Sequence, residues 1–187
     1  MKRLFIAFIA LFLLSCNNDN PPSSNSALWA FQPKNNENAF DNACQPILLN
    51  YQEVLKGVLA KDTTYLYAAL KNLANLTDSF PALHAAKDSS LNNELKQGWV
   101  NINAEIQGLL AETEWLEIYK STNMISIQLL HLLGEAGYQR QNIYVFTSAF
   151  DGQEEGFNWL NIAKTSRDPY HPDNKELIQA QQVLQEN

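Results

Sequence analysis

Sulfur and imidazole are scarce in this sequence. Its 187 residues include two Cys, two Met and three His. A metal site needs three or four converging ligands, and no pair of histidines here has a ligand spacing such as H-x-x-x-H. The three histidines, His84, His131 and His171, are therefore interpreted as surface or hydrogen-bonded side chains. His171 with Asp173 is the nearest approach to a metal site, and we expect neither a metal nor another cofactor.

Recognised catalytic motifs are missing as well. The patterns G-x-S-x-G, H-E-x-x-H and the P-loop do not occur. Glu154 and Glu155, beside Gly156, form a candidate acid/base pair, but exposed carboxylates in a turn are far commoner. Scattered groups can also build a catalytic site, although no residue pattern argues for one. The sequence therefore predicts that this protein is not an enzyme.

Basic residues are few relative to acidic ones. The chain has 13 Lys and Arg against 20 Asp and Glu, a formal net charge of −7. Loss of residues 1–15 would remove Lys2 and Arg3, which leaves 11 basic residues against 20 acidic ones, or −9. Such a field repels nucleic acid and anionic lipid heads, and no basic stripe opposes it. We therefore expect no nucleic-acid partner.

No apolar run is long enough to span a membrane. The longest covers residues 4–14, and a helix of that length rises about 16 Å, roughly half of a hydrocarbon core about 30 Å thick. The run follows a cationic M-K-R start, so it fits the apolar region of a signal peptide. It ends in L-L-S-C at Cys16, which resembles the bacterial lipobox.

The lipobox resemblance implies diacylglyceryl transfer to the Cys16 thiol, cleavage after Ser15 and acylation of the new amine. Several acyl chains, at about 0.8 kcal/mol per buried CH₂, make a stable membrane anchor. Asn17 is not the aspartate that retains lipoproteins at the inner membrane, so a lipid-anchored place at the outer membrane of the cell envelope is favoured. The alternative is an ordinary signal peptide with an unrelated cysteine.

The second cysteine, Cys44, stands alone once Cys16 carries lipid. No intramolecular disulfide is then possible. A lone thiol in an oxidising compartment is more often buried than redox-active, and we expect Cys44 to be buried.

Three segments follow from composition. Residues 1–15 are the signal peptide, residues 16–41 form a flexible tether rich in Asn, Ser and Pro, and residues 42–187 form one domain. Two aromatic residues interrupt the tether, Trp29 and Phe31. They either dock on the domain or mark a short partner-binding segment.

Apolar residues at helical spacing predict four helices in the domain, over residues 46–60, 63–76, 89–112 and 114–136. Asp62 and Thr113 are expected to cap the second and fourth helices, and Gly137 to end the fourth. Gly98 and Gly108 lie inside the third helix, where we expect them to allow close packing. Short connections then predict an all-α fold, an up-down four-helix bundle.

Residues 142–172 break this helical rhythm with Phe, Trp, Gly and Pro. We expect an extended segment over residues 143–150 and turns at Gly152 and Gly156. The whole stretch is predicted to be an irregular, aromatic and Pro-rich cap on the bundle. The sequence D-N-K-E from residue 173 is similar to a capping signal, so a short final helix is expected to about residue 185.

The motif G-F-N-W-L-N at residues 156–161, followed by D-P-Y at residues 168–170, resembles a family of unknown function. This family occurs in Gram-negative envelope lipoproteins and at the C-terminal end of membrane-fusion subunits of heavy-metal efflux pumps. Its signature is Cys-Pro-Met-Ala, then Gly-Ala-x-Trp-Leu-Ser, then Asn-Pro-Tyr, followed by Met and Cys-Gly. Residues 51–76 also resemble the start of the family, and the resemblance covers most of residues 45–172.

Departures from the family pattern remove its metal ligands. The chain has T-S-A-F at residues 147–150 where the family has Cys-Pro-Met, and it has neither Met nor Cys beyond Tyr170. The soft ligands that select Cu(I) are therefore absent. The matching residues are of the kind that hold a shape, and we assign them to a structural cap: Gly156, Trp159, Leu160, Pro169 and Tyr170.

Two functional hypotheses remain. The first is a lipid-anchored, non-catalytic binding or adaptor module whose aromatic cap engages another envelope protein or a small ligand. The alternative, which the resemblance implies, is a periplasmic accessory that handles heavy metals for an efflux system. Converging sulfur or imidazole ligands in the folded cap would favour the second hypothesis.

Overall fold

A computed structural model describes residues 38–83, 89–150 and 153–184. Four helices come first: α1 Asn38–Ala60, α2 Thr63–Leu83, α3 Ser89–Leu109 and α4 Trp115–Ala136. Five strands follow: β1 Tyr144–Phe150, β2 Gln153–Asn161, β3 Thr165–Arg167, β4 Leu177–Gln179 and β5 Gln182–Val183. Within these ranges, no helix combines the length and the apolar character needed to cross a membrane.

The prediction of an all-α fold is wrong. Strands β2, β1 and β5 form an antiparallel sheet in that order, and β3 pairs with β4 in a second antiparallel ribbon. The predicted extended segment is β1, but it is the centre of a sheet rather than part of an irregular cap. The partner strand β2 contains the G-F-N-W-L-N motif, so the motif residues are strand residues.

The final helix predicted over residues 173–185 is also wrong. Asn174 Oδ1 accepts a hydrogen bond from the Glu176 backbone N–H at 2.9 Å, which closes a local turn instead of capping a helix. Beyond it, Ile178 lies opposite Ser166 in the β3–β4 ribbon. A four-residue capping signal is a weak preference, and here pairing with β3 and β1 overrides it.

Helix α1 begins earlier than predicted. Its apolar face continues upstream through the buried residues Phe40 and Cys44 to Tyr51, at the i, i+4 and i+11 spacing of one stripe. Pro46 therefore lies inside the helix rather than in its first turn. The Asn-rich composition of this segment made it read as part of the tether.

Helix α2 extends past residue 76, where the predicted helix ended, to Leu83. Thr77 Oγ1 donates to the Ala74 carbonyl at 3.0 Å, and Ser79 Oγ donates to the Asn75 carbonyl at 3.1 Å. Both hydroxyls therefore donate to carbonyls of their own helix, so they do not interrupt it. The predicted cap at its start is confirmed, because Asp62 Oδ1 accepts the Tyr65 N–H at 3.0 Å.

The ends of α4 differ in how well the sequence predicted them. Thr113 is not the cap: the N-cap is Glu114, which makes no side-chain cap bond, and Glu112 Oε1 instead accepts the Thr113 and Glu114 N–H groups. Gly137 is confirmed as the terminator. It has φ 68° and ψ 46°, and its N–H donates to the Gly134 carbonyl.

Close approach between helices depends on two glycines. A Cβ on Gly57 would lie 2.8 Å from the Leu66 Cα across the α1–α2 contact, and one on Gly98 would lie 2.8 Å from Leu132 Cδ1 of α4. Close packing is thus confirmed at Gly98. At Gly108 that prediction is wrong, since nothing lies within 4 Å of its Cβ position.

The single described thiol, Cys44, is fully buried, as predicted. Burial, and secondarily the charge of Asp41, raises the pKa of this thiol far above its ordinary value. Cys44 is therefore a small apolar core residue rather than a reactive one.

Candidate functional site

Trp159 packs between β1, β3 and the turn that carries Tyr170. Its side chain is fully buried and stacks on Phe146 of β1, with ring centroids 5.2 Å apart and planes 14° from parallel. Its Nε1 donates to Ser166 Oγ at 3.1 Å, so the one polar atom of the ring is satisfied. Tyr170 meets the indole edge-on at 5.9 Å. Leu160, the next residue, is also buried.

The D-P-Y segment is a turn held by its first side chain. Asp168 Oδ1 accepts the Tyr170 N–H at 2.8 Å, which is an Asx-turn closed around the buried Pro169. The turn aims the Tyr170 phenol at β2, where the hydroxyl donates to the Asn158 carbonyl at 2.8 Å. Asp168 thus closes the turn, and Tyr170 attaches it to the sheet.

The outer edge of β2 is closed by side chains at Leu160. Tyr51 of α1 accepts the Leu160 N–H at 3.2 Å, and Gln52 Nε2 donates to the Leu160 carbonyl at 2.9 Å. The Tyr51 hydroxyl also lies 2.6 Å from Ser126 Oγ of α4. Burial raises the pKa of the Tyr51 phenol well above its ordinary value, which keeps it protonated.

The same edge of β2 is also closed at Asn158, two residues before Leu160, where the backbone N–H and C=O again point away from β1. Its N–H donates to Asn123 Oδ1 of α4 at 2.7 Å, and its carbonyl accepts the Tyr170 hydroxyl. Both outward backbone groups of Asn158 and of Leu160 are therefore satisfied by side chains from the helices and the turn.

His171 contacts two polar side chains through a single ring nitrogen. Its Nδ1 lies 2.8 Å from Asp168 Oδ2 and 3.1 Å from Ser148 Oγ. A Ser-His-Asp triad needs the serine on the opposite ring nitrogen from the carboxylate. These three residues therefore do not form one, and the Asp168 contact fixes the ring instead.

The histidines and carboxylates considered as metal ligands do not lie together. Asp168, and not Asp173, is the carboxylate against His171. His131 is exposed on α4. Among the residues that the structure describes, no group of three or more His, Cys, Asp or Glu is arranged to hold a metal ion.

Several predicted residues lie outside the described ranges: Cys16, Trp29, Phe31, His84 and Gly152. The side chains of Glu154 and Glu155 also lie outside what the structure describes. Gly156, expected in a turn, lies inside β2 with φ 68°. It is next to the irregular register between Ser148 and Phe150 of β1.

An open groove lies between α3 and α4, with a volume of about 460 Å³. Its apolar part consists of Leu95, Gly98, Ile127 and Leu132, and the absence of a side chain on Gly98 lets Leu132 approach α3. Its polar lining consists of Glu94, Gln97, Asn101, Gln128, His131 and Glu135. A concave apolar surface with a few polar groups is the usual composition of a ligand site.

Gln128 is one of the polar residues in the wall of this groove. Its Oε1 is buried and has no hydrogen-bond partner in the described structure. Buried amide oxygens in folded proteins almost always accept a hydrogen bond, and leaving one without a donor costs about 1–3 kcal/mol. The oxygen is covered by protein, so it is not a contact point for a molecule in the open groove.

Sequence reasoning did not find this groove. Gly98 was the one signal, and it was interpreted as a packing residue. The rest of the lining comes from two helices whose relative rotation no local pattern determines. A second, smaller depression of about 300 Å³ lies between α2 and α3.

Comparisons with known proteins add no assignment. No family model, no curated protein and no solved structure matches the chain. The resemblance to the envelope and efflux family therefore stays a prediction from the residues that carry it.

Proposed function

We propose that this chain is a lipid-anchored, non-catalytic binding module of a bacterial cell envelope that holds a small ligand in the α3–α4 groove. The observation that carries the proposal is an open groove of about 460 Å³ with apolar residues at its centre and polar residues around them. A preformed apolar concavity with a few polar groups supports ligand binding. The Cys16 lipobox supports the anchor.

The aromatic cap is a poor candidate for the binding surface. Phe146, Phe157, Trp159 and Tyr170 are each exposed by 2% or less. A binding hot spot needs a side chain that a partner can cover, and these rings already contact one another and the helices. The ligand is therefore assigned to the groove, and another envelope protein at that surface is the competing occupant.

The alternative function, a periplasmic heavy-metal accessory of an efflux system, rests on the family resemblance. The described part of the chain contributes no set of converging ligands to it. It differs from the proposed function in requiring a tight soft-metal site.

The anchor is tested by Cys16→Ser. We expect the variant to leave the membrane fraction or to keep its leader, because the lipid is attached through the thiol. Fractionation of cell envelopes and the mass of the mature protein measure both outcomes. A variant that is processed and stays membrane-bound would show that Cys16 is not the anchor.

The groove is tested by amide chemical shifts of the mature protein with a panel of small cationic, neutral and anionic apolar compounds. We expect shifts concentrated at groove residues such as Gly98, Gln128 and Leu132. Asn101→Trp should abolish them by filling the groove. Gln107→Trp is the matched control, since each change removes one amide–amide bond on α3. Shifts in no groove residue with any compound would refute the proposal.

A further inference from the structure

The β3–β4 ribbon has a strand edge with unpaired backbone groups. The Ala180 N–H donates to the Lys164 carbonyl at 3.0 Å, so this directly opposed pair is hydrogen-bonded. Because hydrogen-bonded and non-hydrogen-bonded pairs alternate in an antiparallel ladder, the backbone N–H and C=O groups of Leu177 and Gln179 point away from β3. No hydrogen bond to these groups occurs within the part of the chain that the structure describes. The outer edge of β4 therefore offers free donors and acceptors.

The side chains of β4 agree with an open edge. Leu177 is 64% exposed, the largest value among the exposed large apolar residues that the structure describes, and Gln179 is also exposed. The outer edge of β2 differs, since side chains satisfy it at Asn158 and Leu160. Shortness is the one protection of an edge strand that β4 has, because residues 177–179 contain no charge and no proline. An exposed leucine on an unpaired strand indicates a partner strand.

The β4 edge is complementary to itself about a two-fold axis at Ile178. When two copies lie antiparallel with their Ile178 residues opposed, Leu177 of each copy lies opposite Gln179 of the partner subunit. The outward N–H and C=O groups of these two residues then face each other, which gives one hydrogen-bonded pair on each side of the axis. This register uses all the outward backbone groups of residues 177–179.

The side chains also match in this register. The Cα atoms of a non-hydrogen-bonded pair are about 4.5 Å apart, so the two half-buried Ile178 side chains would be in contact on one face of the sheet. The two Leu177 residues would be diagonal neighbours on the other face, about 7–8 Å apart and within reach of long side chains. The charged residues 175–176 would lie opposite the uncharged residues 180–181, so no like charges are opposed.

We propose that two copies of this chain associate through the β4 edge and form one antiparallel sheet, in which β3 and β4 of one copy continue into β4 and β3 of the other. A second copy is favoured over an unrelated strand because apolar side chains meet on both faces and every outward group of residues 177–179 finds a partner. The inference needs neither the α3–α4 groove nor the lipid anchor, so it fails or holds separately from the proposed function.

Cysteine cross-linking of the full chain in intact cells tests the position of the axis. Ile178→Cys would place two thiols opposite each other at a Cα separation of about 4.5 Å, within the range of about 4.4–6.8 Å that a disulfide spans. After oxidation with copper phenanthroline, we expect a reducible species of twice the monomer mass. The unsubstituted protein gives the background from Cys44, which is buried.

Thr165→Cys is the matched control for the cross-link. Thr165 lies on β3, opposite Gln179 of the same chain. The two copies of β3 would be three strand spacings apart, about 14 Å, which is too far for a disulfide. We therefore expect no cross-link above the background of the unsubstituted protein.

A second test changes the edge itself. Leu177→Lys alters an exposed side chain and places like charges diagonally across the axis, so it should weaken dimerisation about tenfold and leave the thermal stability of the monomer unchanged. Leu116→Lys, the same change on an exposed leucine of α4, should alter neither. Sedimentation equilibrium of the mature protein over a range of concentrations gives the dissociation constants.

The outcomes decide what pairs with the β4 edge. Equal cross-linking of Ile178→Cys and Thr165→Cys, or no cross-link in Ile178→Cys, would overturn the dimer. A cross-linked species of another mass would show that a different protein pairs with β4, and a second copy would then be the wrong occupant. Equal dissociation constants for Leu177→Lys and the unsubstituted protein would overturn the assignment to this edge.

Discussion

Trp159→Ala should lower the free energy of unfolding by about 3–5 kcal/mol. The indole is fully buried, stacks on Phe146 and meets Tyr170 edge-on, so its removal opens a cavity between β1 and the turn that carries Tyr170. The change also leaves Ser166 Oγ without the indole N–H. Urea unfolding followed by circular dichroism measures the loss, which is a large part of a typical total of about 5–15 kcal/mol.

Trp115→Ala is the matched control for this prediction. Trp115 begins α4, is half-buried, and contacts Tyr119 with ring centroids 6.0 Å apart. Because water already reaches part of its ring, we expect a cost of about 1 kcal/mol or less. Equal stabilities of the Trp159→Ala variant and the unsubstituted protein would refute the structural role of Trp159.

Gly156→Ala should destabilise the β1–β2 hairpin through two separate effects. At φ 68° a residue with a Cβ is strained by about 1–2 kcal/mol. The added Cβ would also lie 2.4 Å from the Ser148 carbonyl oxygen, and displacing that backbone costs about 1–3 kcal/mol more. Thermal unfolding should show a clearly lower Tm.

Gly108→Ala provides the opposite expectation for the same chemical change. Gly108 is helical and has open space at its Cβ position, so alanine should stabilise α3 by up to about 1 kcal/mol. If both variants lower the Tm equally, the strain and close contact at Gly156 are not what make this glycine necessary.

The sequence predicted the helices because each carries its own evidence. An apolar stripe at helical spacing identifies α2, α3 and α4, and Gly137 ends α4 by a purely local preference. The strands had no comparable signal. β4 and β5 contain three and two residues, too few to show alternation, and they form because β3 and β1 offer backbone partners.

The motif residues were recognisable, but their partners were not. Trp159 and Tyr170 read as buried rings, whereas the bonds to Ser166 and to the Asn158 carbonyl depend on the register of the folded chain. The α3–α4 groove was out of reach for a similar reason. Its lining residues are ordinary helix residues in the sequence, and which of them face one another depends on how α3 and α4 pack.

The closed outer edge of β2 affects how neighbouring copies of the protein can associate. An open edge strand is a template on which a second chain can add by β-augmentation or begin to aggregate. At Asn158 and Leu160 an incoming strand would first have to displace Asn123, Tyr170, Tyr51 and Gln52 from the backbone. For a chain that we propose to be concentrated on a membrane surface, these four side chains oppose strand-to-strand association between neighbouring copies.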